Sequence, residues 1–390
     1  MNKDFGTESI RTQAERSVHR EHSVPIYMTS SFVFDTAEQA QALFAGEEEG
    51  LVYSRYGNPN TDEFVQKLCL LEGCEDGIAT ATGMAAMFAS LAGLVKSGDH
   101  IVASRALFGS TVQILSQILP RWGVETTYVD PKDADAWAGA MRPETRILFA
   151  ETPSNPGLEL IDVAAVAEVA RHSGAIFIVD NCFATPYLQR PAPLGADLVT
   201  HSATKFIDGQ GRVLGGAIVG KRELIAEIRS FARQTGPALS PFNAWVLSKS
   251  LETLPVRMDR HCANAHEIAR WLETRSVVNW VRYPFLESHP QHALARSQMK
   301  LGGGLVTFEV NGGSAAGMRF LNSLQMISRS SNLGDTRSIA THPPTTTHSK
   351  LSEAQRLEIG ITQGTIRLSV GLEAAGDIIE DVDRALSGLS

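Results

Sequence analysis

Between residues 76 and 220, short apolar runs alternate with segments of helical period. The runs cover residues 78–80, 101–103, 127–129, 146–150, 175–179, 198–200 and 215–219, and the helical segments between them cover 84–95, 111–119 and 163–171. Strands that are apolar almost throughout and are joined by amphipathic crossovers predict an α/β fold, with helices on the faces of an open, mostly parallel sheet. A ligand of such a sheet is expected at the carboxyl ends of its strands. Just upstream, Asn58 before Pro59 predicts a helix start, and Gly73 predicts its end. After a helical stretch over 242–275 the pattern changes. Strand-like runs at 277–281, 305–310 and 365–370 mix with helices such as 315–324, which predicts a smaller C-terminal α+β domain. The chain thus divides into an arm without clear period over 1–56, an α/β domain over 57–247 and an α+β domain over 248–390. Residues 341–350, rich in Thr, Pro and His, read as a loop.

Composition narrows the function without assigning it. The 390 residues are enough for two domains, and a formal charge of −8 argues against nucleic acid as the main partner. The first thirty residues lack the apolar stretch of a signal peptide, and no run approaches the roughly 18 apolar residues of a membrane span, so no membrane partner is expected. Cys69, Cys74, Cys182 and Cys262 form neither a disulfide framework nor a zinc spacing, which sets a reducing cytoplasm as the expected location and no metal as the expected content.

Chemistry concentrates at strand ends. Lys205, in Thr200-His-Ser-Ala-Thr-Lys-Phe206, lies 25 positions after Asp180, the acid that closes the run 175–179. An amine flanked by hydroxyls, together with a strand-end acid, suits pyridoxal 5′-phosphate (PLP): the amine forms a Schiff base and the acid keeps the pyridine nitrogen protonated. Ser202 and Thr204 offer hydroxyls to the phosphate. Gly83 and Met84 open a helix whose free N–H groups hold an anion. Tyr53 and Arg55 project to one side of an extended stretch and suit a phosphate, within an arm able to reach a second subunit. Asn155, in Glu151-Thr-Pro-Ser-Asn-Pro156, sits where it can meet the cofactor's phenolic oxygen. Arg367 interrupts an apolar strand and needs an anion such as an α-carboxylate. Each segment alone has a plainer reading as a turn, a cap or a structural ion pair. Gly209-Gln-Gly-Arg-Val-Leu-Gly215 leads into a strand and fails the dinucleotide pattern. His261 and His266 fail the metalloprotease spacing and read as solvated helix-face residues, while His342 and His348 are assigned no metal.

Taken in order from Tyr53 to Glu373, these segments resemble the Cys/Met-metabolism family of PLP-dependent enzymes. The resemblance implies the aspartate-aminotransferase-like fold type I, with PLP held in the domain over 57–247. It makes Lys205 the Schiff-base lysine and Asp180 the partner of the pyridine nitrogen. Gly83, Met84, Ser202 and Thr204 become phosphate ligands, Asn155 the ligand of the phenolic oxygen, and Arg367 and Asn332 the holders of the substrate carboxylate. Tyr53 and Arg55 would come from the neighbouring subunit, with Tyr53 also a catalytic candidate, in a homotetramer of dimers with shared sites. Phe108 stands where the family usually has a ring-stacking tyrosine, so stacking is kept and a phenol is lost. Phe108, Cys182, Gln210-Gly-Arg212 and Asn332 point to the branch that exchanges the succinyl group of O-succinyl-L-homoserine for sulfide in methionine biosynthesis. The alternatives are cystathionine γ-synthase and methionine γ-lyase chemistry, and more remotely a non-catalytic PLP-binding protein. Arg105 and Arg337 are candidates for the succinyl carboxylate.

Overall fold

A computed structural model describes residues 4–389. Seven strands build the first sheet: β1 (Asp76–Thr80), β2 (His100–Ser104), β3 (Glu125–Val129), β4 (Thr145–Glu151), β5 (Ile176–Asp180), β6 (Leu198–His201) and β7 (Gly216–Gly220). Their spatial order is β1-β7-β6-β5-β4-β2-β3. All run parallel except β7, which is antiparallel to both of its neighbours. The open α/β sheet expected from the sequence is therefore present, with one reversed strand that local pattern does not reveal.

Alternation along the strands builds two cores. Ile101, Ala103, Ile147, Phe149, Ile176 and Ile178 face one side and pack with helices Gly83–Ala92 and Arg222–Thr235. Val102, Leu148, Ala150, Phe177 and Val179 face the other and pack under helix Val163–Ser173. Each buried Ile, Leu, Val or Phe among them contributes about 1.5–3 kcal/mol, so both faces are firmly specified. The helix starting after Asn58 runs Pro59–Glu72 as expected, with Asn58 in a capping box and Gly73 closing it in the left-handed conformation at φ +78°.

The arm is better ordered than its sequence suggests. It holds helices Phe5–Arg11 and Ala37–Ala45, too short to give a clear period. It is tied down by polar contacts: Ala14 N–H donates to Glu63, Asn60 holds Tyr27 and Pro25, and Trp245 Nε1–H donates to the Val24 carbonyl.

The second sheet comprises β8 (Val278–Arg282), β9 (Leu305–Val310), β10 (Ser328–Arg329), β11 (Ile339–Thr341) and β12 (Thr365–Ser369), in the order β10-β11-β12-β9-β8. The expected helix over 242–275 is two helices, Pro241–Glu252 and Leu254–Leu272, broken at Thr253 ahead of Pro255. His261 is fully buried, with Nδ1 2.7 Å from the Val370 carbonyl, which corrects its reading as a solvated residue. His342 is also buried, hydrogen-bonded to the Gln363 carbonyl. All four cysteines are free, and no helix of the described residues is long and apolar enough to cross a membrane.

Candidate active site

The carboxyl ends of β1, β4, β5 and β6 lie along one edge of the first sheet, and the amino end of the reversed β7 joins them, with Thr80 opposite Gly216. Local chain chemistry delivers the site there. After β1, Thr82 caps helix Gly83–Ala92 by accepting the Ala85 N–H, while the N–H groups of Gly83 and Met84 remain without an acceptor among the described residues. A side chain at Gly83 would sit 2.5 Å from Ser202 Cβ, so glycine is what lets this helix start close on the turn after β6. Two N–H donors and the Ser202 hydroxyl thus converge as an anion cradle. Thr204, in the same turn, donates through its hydroxyl to the Gly215 carbonyl at 3.2 Å and accepts the Gly215 N–H at 3.1 Å.

Lys205 follows in the same turn. Its Nζ donates to Asn332 Oδ1 at 2.6 Å. Gly334, at φ +76°, allows this contact, because a Cβ there would lie 2.6 Å from the Phe206 nitrogen. Burial pulls the Lys205 pKa below the usual lysine range; the nearby Cys182 opposes this and the Arg367 charge reinforces it. An amine so placed sheds its proton more readily than a surface lysine.

Arg367 reaches the site because β12 alternates. Ile366 and Leu368 enter the C-terminal core, so Arg367 projects from the opposite face, which is turned toward the first sheet. It is 2% exposed and forks onto three oxygens: Nη1 donates to Asn155 Oδ1 at 3.1 Å, and Nη2 to the carbonyls of Ser331 and Asn332 at 2.9 and 3.1 Å. Among the described residues its Nε has no acceptor and no carboxylate pairs with it, and burial lowers its pKa to about 10. A buried cation without an anion calls for one from outside. With Asn155 Oδ1 held by Arg367, the Asn155 amide N–H groups are left for a ligand.

Asp180 and Glu151 end β5 and β4 as register partners. Asp180 accepts the Cys182 N–H at 3.0 Å, and burial lifts its pKa to about 6. Behind it, on the other face of the sheet, His201 Nε2 lies 2.7 Å from Glu72 Oε1, which also accepts from Asn181 Nδ2 at 2.8 Å. Glu151 and this buried pair were not singled out from the sequence. Glu151 had a usable signal, because it closes an apolar run as Asp180 does.

A carboxyl whose folded pKa is raised favours the fold most when protonated. That contribution is complete below the unfolded value near 4 and is lost as pH rises through about 6. Asp180→Asn should therefore stabilise the cofactor-free protein at pH 7.5 by about 1–3 kcal/mol, with the gain shrinking toward pH 5, and should cut turnover of the loaded enzyme by about 100-fold or more. Thermal denaturation of cofactor-free protein across that pH range checks the first part; an unchanged melting temperature at pH 7.5 contradicts it.

Tyr53 and Arg55 do not join this group within the chain. Arg55 donates to the Arg233 carbonyl, and its guanidinium lies 4.7 Å from the centroid of the Tyr56 ring. Neither candidate for the succinyl carboxylate is a free cation: Arg105 pairs with Asp130, and Arg337 with Asp335 through Nε at 2.9 Å.

The residues present fit PLP: a cradle for its phosphate, a strand-end carboxyl for its nitrogen and an amine for its aldehyde. Architecture and site together define a class, the PLP-dependent enzymes of fold type I. Residues 6–387 match the model of the Cys/Met metabolism PLP-dependent enzymes, and the chain belongs to that family. It is 47% identical to the O-succinylhomoserine sulfhydrylase of Pseudomonas aeruginosa PAO1 over 385 residues, covering 99% of this chain and 96% of the relative. Identity to the L-methionine gamma-lyase of Porphyromonas gingivalis W83 is 43%, covering 100% of this chain and 98% of the relative. A solved structure from Campylobacter jejuni, described as an O-acetylhomoserine (thiol)-lyase with N′-pyridoxyl-lysine-5′-monophosphate at position 205 of that chain, superposes with a TM-score of 0.96. Its identity is 33%, with 99% of this chain and 100% of that one covered.

Proposed function

We propose that the chain converts O-succinyl-L-homoserine and sulfide into L-homocysteine and succinate. The observation that carries an amino-acid substrate is the bridge at Asn332, whose side chain holds the Lys205 amine while its backbone carbonyl accepts from Arg367. An α-amino acid carries both an amine, to take the place of Lys205, and a carboxylate, to meet Arg367. Arg367 grips the carboxylate, and the Asn155 amide turns toward the cofactor's phenolic oxygen.

PLP, when bound through Lys205, supplies the sink for electrons released at the substrate α-carbon. Lys205, displaced by the substrate amine, takes the proton from Cα at its Nζ, which burial keeps easy to deprotonate, and must hand that proton on to the cofactor–substrate system before the freed amine can take one from Cβ. Asp180 holds the positive ring nitrogen by charge. Succinate leaves from Cγ with the C–O bond electrons, sulfide forms the new C–S bond there, and Lys205 returns the protons. Phe108 offers a ring face but no phenolic acid, so proton transfer rests with Lys205, with Tyr53 of a neighbouring subunit as the second candidate in a shared-site dimer or tetramer.

The choice of a succinyl ester and sulfide rests on the P. aeruginosa relative and on a second O-succinylhomoserine sulfhydrylase, from Mycobacterium tuberculosis CDC 1551, at 48% identity with 98% of this chain and 95% of the relative covered. Methionine γ-elimination is the second reading, favoured by the lyase relatives such as that of P. gingivalis. Purified enzyme given O-succinylhomoserine with equal sulfide and cysteine should release homocysteine at least about tenfold faster than cystathionine, and methionine alone should yield little methanethiol. Dominant cystathionine, or brisk methanethiol release, assigns a different reaction.

A further inference from the structure

Glu151 stands at the cofactor end of β4 with no role in the reaction described above. It is 5% exposed, and its register partner on the neighbouring strand is Asp180, 7% exposed. Both side chains extend the face carrying Phe149 and Ile178, so the two carboxyls project side by side from strands about 4.8 Å apart. No lysine, arginine or histidine of the described residues forms an ion pair with either one. Instead Glu151 Oε2 accepts the Phe108 N–H at 2.7 Å.

We propose that Glu151 is a positioning residue for the cofactor ring: it ties the backbone of Phe108 to the strand end that carries Asp180 and serves as the uncharged member of a carboxyl pair. This rests on the reading that Asp180 meets the pyridine nitrogen and Phe108 the ring face. Two carboxylates buried together cannot both ionise cheaply, and a single ring cation neutralises only one of them. Asp180 is the member placed to keep the charge. Glu151 is the member driven to hold its proton, because burial first, and the Asp180 charge next, push its pKa well above the usual range, against smaller opposing contributions from the Phe108 and Asn155 N–H groups. A protonated acid still accepts the Phe108 N–H through its carbonyl oxygen, so neutrality and positioning are compatible.

The test compares Glu151→Gln with Glu151→Ala in the holoenzyme and in cofactor-free protein. Gln preserves a neutral carbonyl acceptor of the same shape, whereas Ala removes it. Glu151→Ala should weaken PLP binding about tenfold or more and diminish the circular dichroism induced in the cofactor band, while Glu151→Gln should stay within about threefold of the unmodified protein in affinity and keep the band. In cofactor-free protein, hydrogen exchange at the Phe108 amide should quicken in the Ala variant and stay slow in the Gln variant. That readout needs no cofactor, so it separates a failure here from a failure to place PLP on Lys205. A folded Ala variant with unchanged affinity, band and exchange removes the positioning role, and a Gln variant as impaired as Ala shows that Glu151 acts as an anion. Should the Ala variant not fold, Glu151→Gln against the unmodified protein still decides whether the uncharged form suffices.

Discussion

Lys205→Ala should yield a folded protein that takes up PLP without covalent attachment and turns over at least about 10⁴-fold more slowly than the unmodified enzyme. A general base alone supplies about 10²–10⁴ in rate, and here the same nitrogen is also the attachment point. Stability should change little, because the Lys205 amine makes one hydrogen bond, to Asn332, and loses solvation by being buried. Steady-state assay with O-succinylhomoserine and sulfide, together with a thermal melt, checks both halves. Retained turnover would remove Lys205 from the chemistry.

The second large effect belongs to Arg367. Arg367→Lys keeps a positive charge but not the planar fork that meets Asn155, Ser331 and Asn332 together. Truncating one member of a buried charged contact costs about 2–5 kcal/mol, so kcat/KM should fall by about 10²–10³, chiefly through a higher KM for the amino-acid substrate. Sulfide, which has no carboxylate, should keep its own KM within about threefold. Equal losses for both substrates would point to a collapsed loop over 331–334 rather than a lost carboxylate seat.

Much of this was legible in the sequence because the signals are local. Asn58, Pro59 and Gly73 mark a helix by capping chemistry that needs no tertiary context, and the apolar runs at β2, β4, β5, β6 and β7 announce buried strands by hydrophobicity alone. Arg367 drew notice as a charge inside an apolar strand, and Asp180 and Lys205 as polar groups at strand ends. What escaped depends on partners distant in the chain. The reversal of β7 is a fact of pairing, and β10 and β11, at two and three residues, carry no period. His261 is buried because a loop 109 positions away offers it a carbonyl. Arg105 and Arg337 looked free only until Asp130 and Asp335 were folded beside them. Helix Arg222–Thr235 has a regular apolar face, with Leu224, Ile225 and Ile228 buried, so its signal was as local as that of the strands before it.

The family and its cofactor dependence follow from the full-length match, but the covalent role of one nitrogen is the claim on which every proposed step depends. Borohydride reduction of the loaded enzyme, followed by proteolysis and mass mapping, tests it directly. The account predicts a single pyridoxyl adduct on the peptide containing Lys205, absent from Lys205→Ala. An adduct on another lysine, or none in a sample saturated with PLP, would contradict it.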